Sequence, residues 1–212
     1  MKRTLLSLAL AATALSPMLA TAASSVQMKV AGTIYPAACD ISMPGGTTID
    51  YGRIASATLN KDTVTKIGDD VRAKVAVTCN APTLFAIKSS DARAATKIAV
   101  AGSSPATLFG LGKSGSVNIG AYSINLVDPI DDAGKRPRVL STPVGSTVAT
   151  ATALVTPGEL VSFGEESGVK YAAHKSVTAD MKFTTYIEKA SALPLKGDIK
   201  LDGLATFELV YM

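Results

Sequence analysis

The sequence predicts an all-β protein built as two sheets packed face to face, and three observations lead there. Beyond Ala22 helical periodicity is nearly absent, whereas several stretches alternate apolar and polar residues with the period of two expected of a strand with one buried face. The clearest are Val71, Ala73, Val75, Val77 and Cys79, set against Arg72, Lys74 and Thr78, and the last stretch, Leu204 to Met212. The chain has no tryptophan, so its core must come from Val, Ile, Leu, Ala and a few Phe and Tyr, which suits a β-sandwich.

Taken in order, residues 1–22 read as a secretory signal. Lys2 and Arg3 form a charged start, Leu5 to Leu15 a short apolar run, and Ala20-Thr21-Ala22 a small-x-small cleavage pattern. The apolar run is too short to span a bilayer and Pro17 interrupts it, so no stable membrane insertion is expected. The protein is expected to be exported, leaving roughly 190 residues, enough for one large β domain.

The stretch Ala23 to Cys39 behaves like a strand placed before its own domain. Val26, Met28, Val30, Gly32 and Ile34 occupy one face, while Gln27, Lys29 and Thr33 fill most of the alternate positions. Gly32 lacks a side chain where an apolar one is expected, so either the strand bends there or another backbone comes too close for a Cβ.

Two cysteines in an exported chain suggest one disulfide, Cys39 to Cys79, because the compartment is oxidising. Closing that loop would stabilise by roughly 4 kcal/mol in the chain-entropy description. Between the cysteines, Gly45-Gly46 marks a turn and Thr47 to Ile54 has the β-branched content of a strand. Asp69-Asp70 leads into the Val71–Cys79 alternation. Further strands are expected at Thr83 to Lys88, Val117 to Val127, Leu160 to Phe163 and Val177 to Ile187, each bounded by turn residues. In the last stretch Ala205, Phe207, Leu209 and Tyr211 share a face, opposite Thr206, Glu208 and Val210.

No residue constellation supports an enzyme. Gly110-Leu-Gly112-Lys113-Ser114 resembles the tail of a phosphate loop, but Thr107 stands where the first glycine belongs, so a glycine-rich hairpin is the reading. Ser167-Gly-Val-Lys170 has the spacing of a Ser-x-x-Lys nucleophile without its partner motifs. The acid pairs Asp69-Asp70, Asp131-Asp132 and Glu165-Glu166 are neighbours that a strand would point to opposite faces, so turn chemistry and solubility explain them. His174, the single histidine, has no recognisable ligand spacing around it and reads as an exposed loop residue; no metal and no cofactor are expected. The formal charge of +4 falls to +2 without Lys2 and Arg3, and the densest basic run, Lys135-Arg136-Pro137-Arg138, is broken by proline, so no nucleic-acid partner is expected.

Both ends of the chain beyond the signal resemble the subunits of chaperone–usher fimbriae, the type 1 and P pilus family. The marks of that family are an alternating N-terminal extension with a glycine seven residues before the first cysteine, an early disulfide, and a final alternating strand with a penultimate tyrosine. Here Gly32, Cys39, Cys79 and Tyr211 stand in those places. Ala94 to Ser116 and Asp128 to Lys175 are longer than in ordinary pilins, and Gly197 and Gly203 flank the place of the family's usual glycine, which points to a divergent β-fimbrial branch.

The resemblance implies an immunoglobulin-like sandwich, residues 36–212, that lacks its last strand and is completed by donor-strand exchange. Residues 23–35 would be the donor strand, inserting Val26, Met28, Val30, Gly32 and Ile34. Ala205, Phe207, Leu209 and Tyr211 would form the strand that binds first a periplasmic chaperone and then the neighbouring subunit at an outer-membrane usher. The protein would pass through the periplasm to a cell-surface fimbrium and support adhesion. Two other functions are compatible with the sequence: a ligand-binding tip adhesin, and a self-complemented monomeric periplasmic protein.

Overall fold

The computed structural model describes residues 26–33 and 38–212. The expected signal segment and Ile34 lie outside the described residues. The chain divides into two compact units, residues 1–35 and 36–212.

In the first unit, residues 26–33 form no strand, and Val26, Met28 and Val30 are 96%, 87% and 89% exposed. The alternation predicted a strand, but a strand exists only with a ladder partner for its N–H and C=O groups. A Cβ on Gly32 would have nothing within 4 Å, so no backbone among the described residues comes too close for a side chain there.

The second unit is a β-sandwich with twelve strands among the described residues: β1 (Cys39–Ser42), β2 (Thr65–Thr83), β3 (Phe85–Asp91), β4 (Phe109–Gly110), β5 (Lys113–Ser114), β6 (Val117–Asn118), β7 (Gly120–Asp131), β8 (Val139–Thr142), β9 (Thr150–Ala151), β10 (Leu160–Phe163), β11 (His174–Ile187) and β12 (Ala205–Tyr211). One antiparallel sheet runs β1-β2-β11-β7-β4, the other β12-β3-β10-β8-β9, and β5-β6 is a separate hairpin. That hairpin lies where a glycine-rich one was expected. Inward residues of both sheets make one core: Val75, Val77 and Cys79 from β2 and Val177, Ala179 and Met181 from β11 meet Phe85 and Ile87 from β3 and Val161 and Phe163 from β10. The strand order is that of an immunoglobulin domain, in which one sheet reads A-B-E-D and the other C-F-G. Here β1, β2, β11 and β7 take the first four places, and β3 and β12 stand as C and F. Among the described residues no strand lies beyond β12, where G would be.

Several elements fall where the alternation put them: Leu160–Phe163 is β10, and Val71–Cys79 lies inside the longer β2. Other expectations need correcting. Thr47 to Ile54 is a loop, because Asp50 Oδ1 accepts the Gly52 N–H at 2.8 Å and Gly52 adopts φ +62°, a local turn that competes with a ladder. Tyr51 then reaches sideways to Thr185, hydroxyl to hydroxyl at 2.7 Å. Thr83 closes β2, and after Leu84 the chain resumes as β3 from Phe85; Val117 to Val127 divides into β6 and β7.

His174 is the largest departure. It is 7% exposed at the start of β11, with Nδ1 3.5 Å from Asp131 Oδ2. A lone histidine outside the long alternation gave no sign that the strand would begin three residues early. The acid pair beside it does perform turn chemistry: Asp131 Oδ1 accepts from the N–H groups of Ala133 and Lys135, and Asp132 Oδ1 from those of Lys175 and Ser176. The basic run is solvated as expected, with Lys135, Arg136 and Arg138 exposed.

Candidate functional site

The two sheets each end in an open edge on the same side of the sandwich. Among the described residues β1 pairs only with β2, and β12 only with β3. The direction of every main-chain group on these edges follows from three bonds. Asn80 N–H donates to Ala38 O at 3.0 Å, so residues 38, 40 and 42 face β2, because only alternate residues of an antiparallel strand bond to a given neighbour. Ala92 N–H donates to Leu204 O at 2.9 Å and Met212 N–H to Leu84 O at 3.2 Å, so the even residues of β12 face β3. The N–H and C=O groups of Cys39 and Ile41, and of Ala205, Phe207, Leu209 and Tyr211, therefore point away from their sheets into the seam between β1 and β12.

The side chains of these residues other than Tyr211, which is 52% exposed, turn toward the core, yet none is fully covered. Cys39, Ile41, Ala205, Phe207 and Leu209 pack on the core while remaining partly exposed, whereas Phe85 and Ile87 on neighbouring β3 are 3% and 4% exposed. An apolar gap of about 10 Å³ lies under Phe207, between Val75, Ile87, Leu126 and Met181. The apolar face along the seam is thus short of one layer of side chains.

One end of the seam is tied. The Cys39 N–H donates to the Tyr211 hydroxyl at 2.9 Å, and Cys39 is bonded through its sulfur to Cys79, its direct cross-strand partner with Cα atoms 3.9 Å apart. The edges run antiparallel to each other. β1 is antiparallel to β2 and β12 to β3, and β3 turns back along β2, since Val75 before the turn and Ile87 after it line the same gap.

Of the residues singled out in the sequence, Cys39, Cys79, Ala205, Phe207, Leu209 and Tyr211 come together at this seam. Val26, Met28, Val30 and Gly32 belong to the other unit. Sequence reasoning missed Ile41, although Cys39, Ile41 and Met43 alternate, and missed the core residues under Phe207. Elsewhere, a wide cleft of about 500 Å³ opens beside the start of β2 and the end of β11, lined by Asp62, Val64, Val100, Tyr186 and Glu188 among others. No group of three or more His, Cys, Asp or Glu able to hold a metal occurs among the described residues.

Fold and seam define the class: an immunoglobulin-type sandwich with one disulfide and two edge strands left open side by side. Residues 28–123 match a family described as "Protein of unknown function (DUF1120)", a stretch that takes in both cysteines and the chain up to the start of β7. Over nearly its full length the chain is also similar to Protein GltF of Escherichia coli (strain K12), with 26% identity over 242 aligned residues covering 96% of this chain and 94% of GltF.

Proposed function

We propose that the protein is a structural subunit of a chaperone–usher surface fimbria, assembled by donor-strand exchange. The observation that carries this is the seam: six residues with main-chain groups aimed into it, five of them with apolar side chains only partly covered, in a chain whose segment 26–33 offers Val26, Met28 and Val30 to solvent. An added strand would satisfy the edge groups and seat alternate side chains on the apolar face, which is β-augmentation. Burying three such side chains is worth about 1.5–3 kcal/mol each. A periplasmic chaperone would fill the seam first, and at the outer-membrane usher the segment of the next subunit would replace it.

A second reading, the self-complemented monomer, is supported by chain length. Five residues, 34–38, separate the segment from β1, enough for a hairpin that lays the segment along β1. The wide cleft beside β2 and β11 gives the tip-adhesin reading its footing.

The test is electrophoresis of protein recovered from the cell surface in detergent without heating. A subunit gives a ladder that collapses to one band on boiling, and Gly32→Leu should still yield a chaperone complex yet fail to extend the ladder. A single monomer band from unheated wild type would overturn the proposal.

A further inference from the structure

We propose that the strand entering the seam is set in register by an ion pair between Lys29 of one copy and Glu208 of the next; this rests on the strand-exchange reading above. Glu208 is the one charged side chain on β12, and Lys29 the one charged side chain in 26–33. Their signs are opposite, and both are exposed. Glu208 faces out of the sandwich beside Lys88, its cross-strand neighbour on β3, and among the described residues it makes no ion pair.

The geometry of the edge narrows the choices. A strand whose Val26, Met28 and Val30 face the core points Gln27 and Lys29 outward, on the side of Glu208. Preserving the apolar face allows slips of two residues only. With the strand antiparallel to β12, one register sets Lys29 directly opposite Glu208, and it also sets Met28 opposite Leu209, Val30 opposite Phe207 and Gly32 opposite Ala205. A slip of two residues either way puts Lys29 opposite Thr206 or Val210, which are uncharged. Directly opposed unlike charges attract and like charges repel, so the pair discriminates between registers that the apolar side chains alone would accept.

A strand running antiparallel to β12 has to come from another copy. Antiparallel to β12 means parallel to β1, and a parallel neighbour needs a crossover of roughly a dozen residues or more, whereas residues 34–38 provide five. The segment's own chain could lie beside β1 only in the opposite direction.

The test is a charge swap. A synthetic peptide of residues 23–35, native or Lys29→Glu, is titrated into the monomeric protein isolated before assembly, native or Glu208→Lys. The native pair and the doubly reversed pair should bind alike, and each mismatched pair about tenfold more weakly. Equal binding in all four combinations would overturn the ion pair while leaving strand exchange standing. No binding in any combination would overturn strand exchange itself, and the register with it. As a second readout, Gln27→Cys with Val210→Cys, which leaves both charges in place, should crosslink adjacent subunits under oxidation. Assembly that proceeds without that crosslink would overturn the register.

Discussion

The Tyr211 hydroxyl accepts a hydrogen bond from the main-chain N–H of Cys39 at 2.9 Å, across 172 residues of sequence. This bond spans the seam at the end where the disulfide anchors β1. It occupies the Cys39 N–H, one of the two main-chain groups of Cys39 that point into the seam.

Tyr211→Phe keeps the ring and removes the acceptor. The variant should lose about 0.5–1.5 kcal/mol in urea unfolding, the usual net worth of one such bond. Its Cys39 amide should also exchange faster with deuterium. Unchanged stability together with unchanged exchange would mean that the tie does not form in solution.

The disulfide joins directly paired residues of β1 and β2, closing a loop with a sequence separation of 40. Replacing both cysteines by alanine should cost roughly 4 kcal/mol. The loss should fall on β1, which has no other strand partner among the described residues. Labelling of denatured, unreduced protein should find no free thiol; two labelled thiols would contradict the pairing.

Asp91 is a buried carboxylate, its side chain 1% exposed, at the end of β3. Its oxygens accept the Arg93 N–H at 2.8 Å and the Gly110 N–H at 3.0 Å, which holds β4 in place. Asp91→Ala strands both donors and should cost about 2–3 kcal/mol. Asp70→Ala, in the exposed network with Arg72 and Lys182, should cost much less, because solvent screens those pairs. Similar losses for the two variants would show that burial is not what gives Asp91 its weight.

Acid should destabilise the fold through three carboxylates held below their ordinary value of 3.8: Asp70 by its hydrogen bond from Arg72, Asp132 by the N–H groups of Ser176 and Lys175, and Asp202 by its hydrogen bond from Arg93. A folded-state pKa lower than the unfolded one means that folding favours the ionised form. The stabilisation is therefore complete above the unfolded value and is lost as pH falls through the depressed one. The melting temperature should be level above about pH 5 and fall below about pH 4. Asp132→Asn and Asp202→Asn should each flatten that fall, and an unaltered slope in both would refute the assignment.

Much of this was legible in the residues themselves. The alternation of Val71 to Cys79 and of Ala205 to Tyr211 states which side chains are buried, because a strand's faces repeat every two residues. Two cysteines allow a single pairing within the chain. Where a side chain makes its own turn, as Asp50 does with Gly52, the β-branched content of Thr47 to Ile54 misled, since local hydrogen bonding won over propensity. His174 was illegible for the opposite reason: its burial depends on β7 bringing Asp131 beside it, which no neighbour in sequence announces.

By itself, then, the sequence determined the all-β class, the disulfide and the apolar face of the last strand. Only the tertiary structure decided that β1 and β12 border the same opening, that Tyr211 reaches Cys39, and that Glu208 stands on the open edge. The physical reason is that periodicity reports which way side chains point, whereas lateral neighbours are chosen by main-chain hydrogen bonds. Those groups are the same in every residue but proline, so the order of strands in a sheet leaves almost no mark on the residues that form it.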